Sequence, residues 1–293
     1  RERHTKQVAE SEARYRQASE TYESEKKAYD AAKSDYDARK AAYDAHLKEQ
    51  ITDANPDVAL TPGKLVHEQP FTISENRNSL VSVEGIENHP GQANQFDRHN
   101  NYNSDSVTHI NPVDGSSFTI TYRNVAKDKA SGRTLDARIL VSDVVTSATN
   151  AGEPAIEVFS NYSDNLALYK VTALKQTITF TYSDTGEDYA NNYYVSFGSL
   201  NGQTGDGASR YEFASGTYTA GGDGVIATFL NPESEISPRS QPVHLASRRE
   251  VPRAFMLPQG SNQSRSIEDT DPEIMRRLGV TFLAHNGSSF WVG

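Results

Sequence analysis

Two hydrophobic periods divide this chain. Over residues 1–50 the large apolar side chains return every seventh position, as Tyr15, Tyr22, Tyr29, Tyr36 and Tyr43, with Val8 one heptad earlier. No Gly or Pro interrupts the stretch, and Ala, Glu, Lys, Arg and Gln, all strong helix formers, fill it. The spacing predicts one continuous helix, roughly 75 Å long. A seven-residue repeat drifts only about 20° per heptad on a 3.6-residue helix, so the tyrosines form one slowly winding stripe. With Tyr as position a, position d holds Ala18, Glu25, Ala32, Arg39 and His46. A self-associating zipper wants branched aliphatics there. The seam is one residue wide, with small alanines around it. It suits either a solvated or weakly coiled stalk or a thin partner such as a polyproline II strand, whose rings can stack on tyrosine faces.

From Phe71 onward the period changes to two. In SSFTITYRNV, Phe118, Ile120 and Tyr122 alternate with Thr119, Thr121 and Arg123; in QTITFTYSD, Ile178, Phe180 and Tyr182 alternate with threonines. Both are expected as strands with one buried face. Further strands are expected at 138–145, 155–162, 168–174, 192–199, 224–230 and 280–292, with turns at Asn201-Gly202, Gly221-Gly222 and Asn286-Gly287. So many half-buried strands imply sheet packed on sheet. Pro56 and Pro62-Gly63 stop the helix, giving a stalk helix at 1–50, a linker at 51–70 and a β-sandwich domain at 71–293.

Composition narrows the chemistry. The 293 residues have a net charge of −10, no cysteine and no apolar run long enough for a membrane span. Residues 1–50 are charge-balanced, so the acidity lies in the remainder, which argues against nucleic acid as a ligand. Absence of cysteine excludes disulfides and thiolate chemistry. The chain opens on Arg1 rather than Met and shows no signal peptide, which reads as an excised fragment.

No HExxH, phosphate-binding loop or nucleophile elbow is present, so no catalytic residue is assigned and the chain reads as a non-enzyme. His99 and His109 flank an Asn/Asp-rich loop and are expected to be solvated. Oxygen ligands of the kind calcium takes cluster at Asp97, Asn101 and Asp105 in the long polar loop 88–105, and again at Glu187, although ordinary polar turns fit these residues too. The segment SDTGEDYANNYYVSFGS combines aromatic faces with amides and carboxylates, the mixture that sugar binding uses. Asp184, Asp188, Tyr189, Asn191, Asn192 and Tyr194 are the candidate ligand residues, with cross-strand packing as the alternative role for the two tyrosines.

An Ala- and Tyr-rich helix (YDAAKSDYDARKAAYDAHLKEQ) leading into a β-rich domain with FTITYRNVAKDKASGRTLDARILVSDV and ITFTYSDTGEDYANNYYVSFGSLNG resembles the streptococcal surface antigen I/II family and its relative glucan-binding protein C. The resemblance implies a mainly β, lectin-like β-supersandwich preceded by one long α-helix, with a bound calcium ion in some relatives. It implies an adhesin tip, anchored in the cell wall of a Gram-positive bacterium and binding a host or bacterial glycan or glycoprotein for attachment or aggregation. A protein-binding or structural surface module is the rival reading. The resemblance further implies that the tyrosine stripe holds a proline-rich segment that this chain does not contain.

Overall fold

The computed structural model describes residues 2–50, 57–59, 69–74, 76, 78–91, 107–147, 153–198, 200–205, 208–217, 224–230, 234–245, 249–258 and 277–293. The chain forms two compact units, Arg1–Asp53 and Ala54–Gly293. The first contains the helix α1 (Glu2–Gln50). Its tyrosines stand out from it: Tyr15, Tyr22, Tyr29 and Tyr36 are 61–78% exposed. Lys26 and Lys33 form i,i+4 ion pairs with Asp30 and Asp37, at 3.1 and 2.5 Å. Such exposed pairs add a few tenths of a kcal/mol each (about 0.3–0.5), so helix propensity carries most of the order. Among the described residues no helix is long and apolar enough to cross a membrane.

The second unit is built of strands. A large sheet runs, in order, β16 (Ser237–Pro238), β19 (Phe255–Met256), β14 (Ala214–Gly216), β21 (Ser289–Val292), β10 (Val171–Tyr182), β7 (Thr134–Thr146), β6 (Phe118–Asp128) and β2 (Phe71–Ile73), with β3 (Leu80–Glu84) also on β6. A second sheet has the order β1 (Asp57–Ala59), β15 (Val225–Leu230), β20 (Val280–Ala284) and β11 (Tyr193–Phe197). A third runs β4 (His89–Pro90), β5 (Val107–Ile110), β8 (Ala155–Phe159) and β9 (Leu166–Tyr169). Two hairpins, β12 (Gly202–Gly205) with β13 (Ala208–Tyr211) and β17 (Val243–His244) with β18 (Glu250–Val251), complete the unit. Pairing is antiparallel except for β1 on β15. That strand lies inside the stretch expected as a linker.

One core joins the three larger sheets. Ile120, Tyr122, Ile139, Ile178 and Phe180 of the large sheet cluster with Ile156 and Val158 of the third and with Val280 and Phe282 of the second. The alternation read from the sequence of β6 and β10 is therefore the inward face. A mainly β unit of packed sheets, preceded in sequence by one helix, is the architecture the sequence pattern implied.

Two boundaries differ from expectation. Residues 168–174 and the QTITFTYSD strand were expected to be separate, yet β10 runs unbroken from Val171 to Tyr182. The break falls at Lys170, whose φ of 53° lets the chain leave β9 in one sheet and enter β10 in another. Residues 280–292 are not one strand: the Asn286-Gly287 turn, with Gly287 at φ 83°, carries the chain from β20 in the second sheet to β21 in the large one. The Asn286 side chain fixes that corner by accepting the Phe180 N–H at 2.6 Å and donating to the Phe180 carbonyl at 2.8 Å.

Among the described residues the outer face of the large sheet is covered at one end. Val145, Ala173 and Phe213 pack there with Leu245, Val251, Ala254 and Met256, and Trp291 lies against the same cluster. The β17–β18 hairpin thus roofs the β14–β21 side, whereas Arg123, Arg138 and Leu140 in the middle of β6 and β7 are exposed.

Candidate functional site

The turns at one end of the large sheet bring together residues far apart in sequence. The β6–β7 turn supplies Asp128, Ser131 and Arg133, and the segment after β10 supplies Ser183 to Asn192. Arg133 lies with its guanidinium carbon 3.7 Å from the centre of the Tyr182 ring. It donates Nε–H and Nη2–H bonds to Asp184 at 2.6–3.2 Å and a further bond to the Thr185 hydroxyl at 2.9 Å. The Arg133 hydrogen bonds hold the Asp184 carboxyl below the usual carboxylate range, and Asp184 in turn raises Arg133. The Glu187 carboxylate stands 3.7 Å from Arg133 and accepts from the Thr185 hydroxyl. Both carboxylates, assigned from sequence to ligand or metal, are turned toward a guanidinium.

The remaining sequence candidates separate. Tyr189 is 1% exposed. Its ring sits edge-on to Phe71 and Tyr182, with centroids at 5.8 Å in each case, and its hydroxyl donates to Asp128 at 3.3 Å. Burial pushes its phenol up to about 12. No face of this ring is open to a sugar, so Tyr189 is a packing residue: the alternation places it inward once Asp188 pairs with Thr181. Tyr194 is half-buried on β11, its ring 5.9 Å from Phe229. Its backbone N–H and C=O are both taken by the Gln69 side-chain amide, at 2.9 and 2.8 Å. Asp188 and Asn191 are exposed and Asn192 is half-buried. Asp97, Asn101, Asp105 and His99 lie outside the described residues. Among the described residues no group of three or more His, Asp or Glu side chains is placed to hold a metal ion.

Two polar residues carry more structure than their sequence context suggested. Asp128 is buried and accepts bonds from the Ser131 N–H at 2.9 Å and from the Ser131 hydroxyl. Burial would raise its carboxyl, but the bonds from Ser131, the Ala130 backbone and Tyr189 outweigh that and hold it low. A lowered folded pKa means stability that is present above the unfolded value of about 3.9 and is lost as the pH falls through the folded one. Asp128→Asn is therefore expected to cost roughly 1–2 kcal/mol at neutral pH and to flatten the loss of stability on acidification. Urea melts of both proteins across the acid range check this; parallel profiles would show that Asp128 is not the group responsible.

His109 is the second. Expected as a solvated loop residue, it lies on β5 directly opposite Glu157 of β8, with Nδ1 2.7 Å from that buried carboxylate. Its Nε2 is 3.1 Å from Asn111 Oδ1, while the Asn111 amide donates to the Pro154 carbonyl. The pair joins two strands rather than facing solvent.

With this geometry in hand the chain can be set beside known proteins. No protein family's profile matches it, and no curated protein matches it. Solved structures do. The adhesin domain of PrgB from Enterococcus faecalis bound to DNA matches with a TM-score of 0.57 at 14% identity, over 77% of this chain and 88% of that one. Glucan-binding protein C of Streptococcus mutans matches with a TM-score of 0.54 at 16% identity, over 88% of this chain and 80% of that one. A second structure of the adhesin domain of PrgB from Enterococcus faecalis matches with a TM-score of 0.51 at 13% identity, over 77% of this chain and 83% of that one. The fold is that of bacterial adhesin domains.

The first of these overturns one expectation from the sequence. Net acidity was taken to argue against nucleic acid, yet a domain of this fold is bound to DNA. Net charge averages over a whole surface, whereas a ligand meets only one face of it.

Proposed function

We propose that this chain is a non-catalytic, ligand-binding domain of a surface adhesin of a Gram-positive bacterium, related to the antigen I/II adhesins and anchored in the cell wall, with α1 belonging to its stalk. The observation that supports this is the likeness of fold, over 77–88% of the chain, to adhesin domains from two bacterial genera. The ligand is a glycan or glycoprotein, met by the exposed rim of Asp188, Asn191, Asn192 and the half-exposed Tyr194. A calcium ion would be held through the oxygen ligands Asp97, Asn101 and Asp105. Along α1 the protruding tyrosines offer a seam to a proline-rich strand.

A glycan array probed with the full chain, in calcium and then in EDTA, tests this. Binding of a defined glycan class is expected, weakened at least tenfold by Asn191→Ala with Asn192→Ala, and weakened by EDTA. A blank array in calcium, or binding untouched by the paired change, would remove the glycan reading of this rim. A second reading, that the ligand is DNA, is favoured by the neighbour of the same fold whose adhesin domain is bound to DNA.

A further inference from the structure

The open part of the large sheet's outer face has a composition unlike the rest of the unit. Strand register places its residues in rows. Ser82, Thr121, Arg138 and Thr179 form one row, and Glu84, Thr119, Leu140, Thr177 and Ser289 the next. Toward the far end Thr72, Lys127 and Thr134 form another. Arg123 stands two residues beyond Thr121 on β6, just before the register shift at Asn124, whose φ is 55°. Arg123, Lys127 and Arg138 are all exposed, and none makes an ion pair among the described residues. The carboxylates on this face are engaged or peripheral. Asp136 accepts the Asn124 N–H at 2.9 Å and the Ser183 hydroxyl at 2.5 Å. Asp143 is shared between Lys175 and Arg249, each at 3.8 Å. Glu84 accepts from the Ser82 hydroxyl at 2.9 Å. Asp136 and Glu84 keep their charge, since their partners are neutral donors, so the three cations leave this face with a small positive surplus in a chain whose net charge is −10.

We infer that this face is a binding surface for the phosphodiester backbone of duplex DNA, with Arg123, Lys127 and Arg138 as the phosphate-contacting residues. The inference rests on the DNA reading above and gives it a place on this chain. Phosphate contacts are made by Arg and Lys together with Ser and Thr hydroxyls, which is the composition of these rows. Strand geometry sets Arg123 about 8 Å from Arg138, and Lys127 about 14 Å from it. Across that span a duplex presents about eight negative charges, one per ~1.7 Å of axis, so each cation can meet its own phosphate. A single strand read through its bases would need aromatic platforms. The Trp291 and Tyr182 rings are engaged elsewhere, Trp291 against the covered end and Tyr182 beneath Arg133. The face is therefore suited to backbone, not to bases, and binding should be indifferent to sequence.

Fluorescence anisotropy of a labelled duplex of about 20 base pairs, titrated with the full chain at two salt concentrations, tests the inference. Three phosphate contacts give a log–log salt slope of about −2.7, so raising the salt from 50 to 200 mM should weaken binding about 40-fold. Arg123→Ala, Lys127→Ala and Arg138→Ala should each lower the slope by about one, and the triple change should weaken low-salt binding at least tenfold. These side chains are exposed, so melting temperatures should not move. Leu140→Glu, which places a carboxylate at the centre of the face without removing a cation, should weaken binding as well. Lys26→Ala with Lys33→Ala on α1 should leave it unchanged. If the duplex binds but the triple variant binds equally well, the face is wrong and the DNA reading stands. If the duplex does not bind the unaltered chain, or if heparin alone binds through the same three residues, DNA falls as the occupant.

Discussion

Tyr189→Ala is expected to destabilise the β unit by about 3–5 kcal/mol, the usual cost of truncating a buried aromatic side chain to alanine. The ring is enclosed by Phe71 and Tyr182, and Phe71 in turn contacts Phe180 and Tyr193, at 5.0 and 6.2 Å between centroids. Removing it opens a cavity where the large sheet, β2 and the 183–192 segment meet. In a unit of this size the midpoint of thermal unfolding should fall by roughly 10 °C. Tyr189→Phe separates the two roles of the side chain. It keeps the ring and removes the hydroxyl with its bonds to Asp128 and Asn191, so it should cost about 1 kcal/mol. Thermal and urea denaturation of both variants check the pair. If Tyr189→Ala melts like the unaltered protein but loses ligand binding, the residue belongs to a binding surface and the enclosed placement is wrong.

Gly216→Ala is expected to cost about 1–3 kcal/mol although it adds a single methyl group. Gly216 ends β14 in the large sheet, and its N-terminal neighbours in that strand are buried. A Cβ here would lie 2.6 Å from Val225 Cγ2, 3.1 Å from Val225 Cβ and 3.2 Å from Phe282 Cδ1. Val225 opens β15 and Phe282 lies on β20, so the clash falls where the large sheet meets the second one. Neither neighbour can readily give way. Valine is stiff at χ1, and Phe282 is fully buried against Phe255 and Phe290, with centroids at 5.9 and 5.6 Å. The Val225 N–H is also tied to the Thr217 carbonyl at 3.0 Å. Val225→Ala should relieve the clash, so the double variant should be less destabilised than the sum of the two single changes. Strict additivity in chemical denaturation would show that the two residues do not oppose each other.

The structural role of neither residue was legible in the sequence. Tyr189 was singled out as a ligand residue because SDTGEDYANNYY is polar on either side of it. Its burial depends on the Asp188–Thr181 bridge and on Phe71, more than a hundred residues away. Gly216 carried no signal at all: the approach of Val225 is a fact about two sheets, and no local pattern records it. His109 was misplaced for a similar reason, since its partner Glu157 arrives on a strand 48 residues later. Arg123 was visible only as part of the polar half of an alternation, and Lys127 and Arg138 were not singled out. Their assembly into one face depended on the register of β6 against β7.

What the sequence determined by itself was therefore the local part of the design. A stretch without Gly or Pro and rich in helix formers could only be a helix, because propensity and a heptad stripe act over a few turns. The alternation in 118–123 and 176–182 marked the buried face of β6 and β10 correctly, because the pleat turns successive side chains to opposite sides whatever the sheet meets. Tertiary structure alone decided which sheet each strand entered, through corners at Lys170 and Asn286-Gly287 that cost a residue or two of unusual backbone. It also decided which polar residues were enclosed and which faces stayed open. Those outcomes depend on contacts between distant segments, and a charge or an aromatic ring is given its role by the neighbour that folding brings to it.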